Sequence, residues 1–160
     1  IWGAKNPKTG ETEILAIASD KYSGQGKRLL KIEGETVTQL PDNGLRLSLS
    51  GIWFVPNKKY FIAGDGLWAK LSAYSSVPWK EPTGTTNFNY YREAIRGNGI
   101  NDIAVVCDFG DIFHFNGYSW KSFRQITYMD GIFYTVAIKG NLIVAVGIVE
   151  DKAIVAMGRR

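Results

Sequence analysis

The chain has 160 residues, of which 45% are hydrophobic, and this is enough to bury the core of one domain. Its 19 Lys and Arg against 15 Asp and Glu give a formal net charge of +4. The basic residues are scattered rather than gathered into the stripe that nucleic-acid phosphates require, so nucleic-acid binding is not expected. The longest apolar stretches have the length of a strand and are too short to span a membrane.

One pattern occurs four times along the chain: an apolar run ends on a small residue, turns through Gly or Asp, and is followed by a second run. Aromatic residues at 13% and 18 glycines also favour strands and tight turns over helices. The first copy comprises residues 1–3, 13–18 and 29–32, a turn over 19–26, and Val37. The second comprises residues 51–54, 60–64 and 67–71, and Trp79. The third comprises residues 93–96, 103–107, 112–115 and 119–123, and the fourth residues 134–137, 141–147 and 153–157.

The small residues that end the second run are Ala18, Gly64, Cys107 and Gly147, at intervals of 46, 43 and 40 residues. A period in the forties with several strands per unit is typical of a β-propeller. The sequence therefore predicts an all-β fold with about four blades, each a four-stranded antiparallel meander, of which the last is incomplete. The predicted blades cover residues 1–44, 45–88, 89–130 and 131–160.

The third copy resembles a group of bacterial propeller repeats of the approximate form WG, NDVYAVG, GTILHYDG and SW. The segments that carry the resemblance are Asn101-Asp102-Ile103, residues 108–117 and Ser119-Trp120. His114 occupies the position of the histidine in that pattern, so it belongs to the repeat. The resemblance extends along the chain but is close in the third copy alone. It implies a bacterial, often exported, propeller, located outside the cell or in the periplasm, with no assigned chemistry.

The fourth copy supplies three strands, and an open blade leaves unpaired backbone N–H and C=O groups. We therefore expect this chain to be the C-terminal part of a larger propeller, with the open blade completed by missing upstream blades or by self-association. The uncharged segment 153–157 is the expected site of that association.

Few residues are suited to catalysis or metal binding. One His and one Cys are too few for a zinc site, and no calcium-loop motif is present, so we expect no metal and no cofactor. Cys107 occupies the position of Ala18 and Gly64, which predicts a packing residue. His114 alternates with Phe113 and Phe115 on one strand, which also predicts a structural role. No catalytic residue is assigned.

Tyrosines in the connecting segments are the remaining candidates for ligand binding. Tyr74, Tyr90 and Tyr91 fall there, and the pair Tyr90-Tyr91 could stack on a sugar ring or a peptide. The favoured function is a non-enzymatic binding or scaffold module of an exported bacterial protein, with a protein or glycan ligand. One alternative is part of a propeller enzyme acting on glycans, like a sialidase or another glycosidase. The other alternative is a sensor domain of a larger regulatory protein.

Overall fold

The computed structural model describes residues 1–20, 25–85, 90–123 and 130–159, and every regular element in these ranges is a β-strand. The strands are β1 (Trp2–Lys5), β2 (Thr12–Ala18), β3 (Arg28–Glu33), β4 (Thr36–Leu40), β5 (Leu49–Val55), β6 (Lys59–Gly64), β7 (Leu67–Lys70), β8 (Arg92–Gly99), β9 (Asp102–Cys107), β10 (Ile112–Phe115), β11 (Trp120–Ser122), β12 (Gly131–Lys139), β13 (Leu142–Val149) and β14 (Lys152–Arg159). Part of the predicted turn over 19–26 lies outside the described residues.

The strands form four antiparallel sheets, each following chain order. Sheet 1 contains β1 to β4, sheet 2 contains β5 to β7, sheet 3 contains β8 to β11, and sheet 4 contains β12 to β14. Tight turns join β5 to β6 and β12 to β13, where Asn57 (φ 58°) and Gly140 (φ 57°) occupy the left-handed conformation that such turns need. The predicted all-β fold with four antiparallel sheets is confirmed.

Sheet 2 has an isolated bridge, between Ala69 and Lys80, where sheets 1 and 3 have a fourth strand. Pro78 and Pro82 lie two residues on either side of Lys80. Because proline has no N–H to donate to a ladder, this segment pairs at a single point and does not extend into a strand. Trp79, predicted for the fourth position of this copy, lies next to the bridge.

The chain divides into two compact units, Ile1–Pro82 and Thr83–Arg160, which we call unit 1 and unit 2. Unit 1 contains sheets 1 and 2, and unit 2 contains sheets 3 and 4. The core of unit 1 includes Leu15, Leu29, Leu40, Leu45, Leu49, Ile52, Phe54, Tyr60, Ile62, Trp68, Ala73 and Trp79. The core of unit 2 includes Ala94, Ala104, Val106, Ile112, Phe133, Val136, Ile143 and Ala145. The predicted boundaries after residues 44 and 130 fall between sheets and remain predictions, and residue 88 lies outside the described residues.

The second strands of sheets 2, 3 and 4, which are β6, β9 and β13, differ in whether both of their faces are buried. Apart from its first residue, each of β6 and β9 is buried throughout, as their near-continuous apolar sequences predict. In β13, by contrast, buried and accessible residues alternate, because one face of sheet 4 packs in the core of unit 2 and the other is exposed. The exposed face carries Val146, Ile148, Val155 and Met157. No helix in the described ranges is long and apolar enough to cross a membrane.

The repeated small residue faces a β-bulge in three of the sheets; it ends β6 and β9, whereas β13 continues past Gly147 to Val149. The register shifts directly after each pair, which are Gly64–Leu49, Cys107–Arg92 and Gly147–Phe133. At the bulge the first strand comes so close that a Cβ on Gly64 would overlap the Ser48 carbonyl oxygen, and a Cβ on Gly147 the Ile132 carbonyl oxygen. Gly64 and Gly147 are therefore steric requirements of their bulges, whereas the bulge opposite Cys107 accommodates a side chain.

Cys107 is fully buried at this position, and burial raises the pKa of its thiol. We expect the thiol to resist labelling until the chain unfolds, because the thiolate is the nucleophile and it is disfavoured here. Cys107→Ala should fold and lose on the order of 1 kcal/mol of stability through the small cavity it leaves. Thiol-reagent kinetics with and without denaturant, with thermal melts of both proteins, test this. Rapid labelling of the folded chain would contradict it.

Candidate functional site

A carboxylate of unit 1 is held between two tyrosine hydroxyls. Glu13 lies near the start of β2. Tyr60, on β6, donates a hydrogen bond of 3.1 Å from its hydroxyl to Glu13 Oε2, and Tyr74, in the segment after β7, donates one of 2.8 Å to Glu13 Oε1. Both carboxylate oxygens are thereby fixed in position by donors from sheet 2 and the segment that follows it.

Local structure explains why these groups converge. Tyr60 is 1% exposed and stacks on Phe54 with ring centroids 5.1 Å apart, so its ring is immobilised in the core. The backbone N–H of Asn57, in the β5–β6 turn, donates to the Tyr60 hydroxyl at 3.2 Å. That donor leaves the Tyr60 proton free to point at Glu13.

The carboxylate faces a polar cleft of about 190 Å³, which we call the Glu13 cleft. Its lining residues are Asn6, Glu11, Thr12, Glu13, Lys31, Glu33, Asn57 and Tyr74. Lys31 and Glu33, both on β3, form an ion pair of 2.6 Å, and the Lys31 ammonium lies 5.5 Å from the centre of the Tyr74 ring. Three carboxylates against one ammonium make the cleft acidic in a chain that is basic overall.

The tyrosines of the cleft serve as hydrogen-bond donors. Burial above all, together with the charge of Glu13, raises the pKa of Tyr60 from 10.0 to about 12, although the N–H of Asn57 opposes this. Burial, the hydrogen bond to Glu13 and its charge also raise the pKa of Tyr74. A phenol must lose its proton to act as a nucleophile, so this environment disfavours tyrosinate chemistry at neutral pH.

The raised pKa values predict a specific alkaline sensitivity. Below the unfolded-state pKa of 10.0 both hydroxyls are protonated in both states, so their stabilisation is fully present; it is lost as pH rises from 10 towards 12. We expect the free energy of unfolding to fall over this window, and Tyr60→Phe/Tyr74→Phe to fall less steeply. Denaturant unfolding at a series of pH values measures both slopes. Tyr118→Phe, which removes a hydroxyl from a side chain that is 95% exposed, is the control. An unchanged slope in the double variant would contradict the pKa assignment.

The pair Tyr90-Tyr91, predicted from the sequence to bind ligand, does not line this cleft. Tyr90 and Tyr91 are half-buried in unit 2. The Tyr90 ring packs against Phe109 with centroids 4.7 Å apart, and the Tyr91 carbonyl accepts a hydrogen bond from the Asp108 N–H at 2.9 Å. Their role in ligand binding stays a prediction. Tyr74, also noted as a connecting tyrosine, does line the cleft.

His114 takes part in a polar network of unit 2. Its Nε2 lies 2.8 Å from Asp102 Oδ1, and the Asn98 side chain donates hydrogen bonds to Asp102 Oδ2 at 2.9 Å and to the Gly140 carbonyl at 2.8 Å. The network ties the β8–β9 turn to β10 and to the β12–β13 turn. This placement fits the structural role predicted for His114. In the described part of the chain, no group of three His, Cys, Asp or Glu side chains could hold a metal ion.

No known protein family and no curated protein matches the chain. Among solved structures, it is similar to YCF48 from Cyanidioschyzon merolae, a β-propeller protein, with a TM-score of 0.61 and 14% sequence identity. The match covers 92% of this chain and 50% of that chain, so this chain spans about half the length of that structure. This likeness, with the four antiparallel sheets, establishes a β-propeller fold.

Proposed function

We propose that the chain is a non-enzymatic binding module of an exported bacterial β-propeller protein and that the Glu13 cleft holds its ligand. The propeller fold itself supports a binding or scaffold role and no particular chemistry. The observation that carries the proposal is the Glu13 carboxylate, whose two oxygens are pre-positioned by the hydroxyls of Tyr60 and Tyr74 at the wall of an open cleft. A pre-positioned acceptor binds a ligand without a further ordering cost.

The lining favours a ligand rich in hydroxyl groups, such as a glycan. Three carboxylates accept hydrogen bonds, Lys31 donates them, and the amides of Asn6 and Asn57 can do both. Sugar hydroxyls also donate and accept, so they match this mixture better than an apolar or an anionic ligand would. Among the residues that the structure describes, no arginine lines the cleft, which makes it a poor site for a ligand carboxylate or phosphate.

Bacterial origin and export are part of the same proposal. They are supported by the resemblance of residues 101–120 to bacterial propeller repeats. The raised pKa values of Tyr60 and Tyr74 oppose a tyrosinate nucleophile, but most glycan-cleaving enzymes use a pair of carboxylates, and the cleft contains three. Product analysis therefore decides between binding and cleavage.

A glycan array probed with the chain and with Glu13→Gln tests the proposal. We expect glycan binding that Glu13→Gln weakens about tenfold to a hundredfold, because a hydrogen bond to a charged group contributes about 1.5–3 kcal/mol. Glu35→Gln is the matched control, since Glu35 is an exposed glutamate of the β3–β4 turn that does not line the cleft. Thermal melts establish that both variants fold. Absence of glycan binding, or equal binding by Glu13→Gln, would overturn the proposal, and shortened glycan products would favour the enzyme alternative.

A further inference from the structure

Unit 1 has a second cleft, of about 300 Å³, lined by Gly44, Arg46, Trp68, Trp79, Lys80 and Glu81, which we call the Trp68 cleft. In an antiparallel meander, alternate turns lie at opposite ends of the sheet. The Glu13 cleft lies at the end with the β1–β2, β3–β4 and β5–β6 turns. The Trp68 cleft lies at the other end, beside the β4–β5 connection and the β6–β7 turn. It is therefore a separate site.

The indole walls of this cleft are fixed before any ligand arrives. Trp68 and Trp79 are each 3% exposed. The Trp79 Nε1–H donates to the Pro41 carbonyl at 3.3 Å, and the Lys70 ammonium lies 5.4 Å from the centre of the Trp79 ring. Gly44 (φ 89°) passes so close that a Cβ on it would lie 2.5 Å from the Trp79 carbonyl oxygen. Rigid walls reduce the entropy cost of binding.

Most polar side chains of the Trp68 cleft are hydrogen-bond donors that have no partner within the described part of the chain. Within the described part of the chain, the side chains of Arg46 and Lys80 make no hydrogen bond or ion pair, and both are exposed. The nearly buried Trp68 indole likewise has no hydrogen-bond partner for its Nε1–H among the described residues. Two cations and an indole N–H in one concave site favour a ligand with an anionic oxygen group.

Glu81 affects which kind of anionic ligand suits the Trp68 cleft. Glu81 adds an acceptor beside the two cations, so the cleft suits an anion that also carries several hydroxyl groups able to donate hydrogen bonds. The exposed edges of the Trp68 and Trp79 indoles supply a small apolar contact for the C–H groups of a ring. A carboxylate, hydroxyl groups and an apolar ring surface occur together in a sugar acid. We propose that the Trp68 cleft binds a hexuronate, with its carboxylate at Arg46 and Lys80 and its hydroxyls near Glu81.

Titration of the isotope-labelled chain with glucuronate, followed by NMR, tests this proposal. We expect saturable shifts at residues 44–46, 68 and 79–81, and binding at least tenfold weaker in Arg46→Gln and in Lys80→Gln. Lys8→Gln removes the same charge from the exposed β1–β2 turn at the opposite end, and it should bind as the parent does. Added salt should weaken binding, because the cations are exposed to solvent.

Two further ligands and one further variant show whether the NMR shifts report hexuronate binding in the Trp68 cleft. Glucose, which lacks the carboxylate, and inorganic phosphate should each bind at least tenfold more weakly than glucuronate. Equal binding of either one, or no saturable shift with glucuronate, would overturn the proposal. Glu13→Gln should bind glucuronate normally, so failure of the Glu13 cleft as a glycan site and failure of this site are separately visible.

Discussion

Gly147→Ala should lose about 3 kcal/mol of stability or more, which is a large fraction of the stability of a small domain. Gly147 lies on β13 opposite the bulge in β12, and a Cβ there would overlap the Ile132 carbonyl oxygen. The obstruction is backbone, so no side-chain rotation relieves it. The strand would have to move away from β12 and lose part of the ladder.

Gly158→Ala is the matched control for this substitution. Gly158 lies on β14 of the same sheet, and a Cβ on it would have nothing within 4 Å. It should be neutral or slightly stabilising, since alanine restricts the unfolded chain. Denaturant unfolding of the two variants beside the parent gives the comparison. Equal stability of Gly147→Ala and Gly158→Ala would show that the bulge does not require glycine.

Val155→Lys/Met157→Lys should abolish or strongly weaken self-association of the chain. On the outer face of sheet 4, Val155 is 60% exposed and Met157 is 73% exposed, with Val146 and Ile148 beside them. Strand β14 is also an edge strand in the described part of the chain. A contiguous apolar face next to an open strand edge favours association.

Burying one such side chain contributes about 1.5–3 kcal/mol, so two lysines on this face should weaken association at least tenfold. Sedimentation velocity over a range of concentrations measures the effect. Val77→Lys is the control, because Val77 is a similarly exposed valine, at 57%, in the segment after β7. A parent chain that stays monomeric throughout, or equal association of the double variant, would contradict the prediction.

The repeat can be found from the sequence because its physical requirements are local. Gly64 and Gly147 are small since a bulge brings a neighbouring backbone against them, and Cys107 occupies the third such place. The regular spacing of these residues therefore marks the three bulged positions in the sequence itself. The predicted end of the fourth copy's second run at Gly147 falls short, because β13 continues to Val149. The reduction of the fourth strand of sheet 2 to one bridge was not predicted, although Pro78 and Pro82 are the signal for it.

The Glu13 cleft could not be found in the same way. Glu13 lies 47 residues from Tyr60 and 61 from Tyr74, so their meeting depends on how sheet 1 packs against sheet 2. In the sequence Glu13 is one of 15 acidic residues, and Tyr74 is a tyrosine in a connecting segment. Registers and turn geometry bring them together, and neither is visible in a local pattern.

An NMR titration with the strongest glycan from the array tests most directly whether ligand binds in the Glu13 cleft. If it does, the largest amide shifts fall on residues 11–13, 31–33, 57 and 74, and they saturate with one affinity that Glu13→Gln weakens. Saturable shifts concentrated elsewhere in the chain, with residues 11–13 and 74 unmoved, would contradict binding in this cleft.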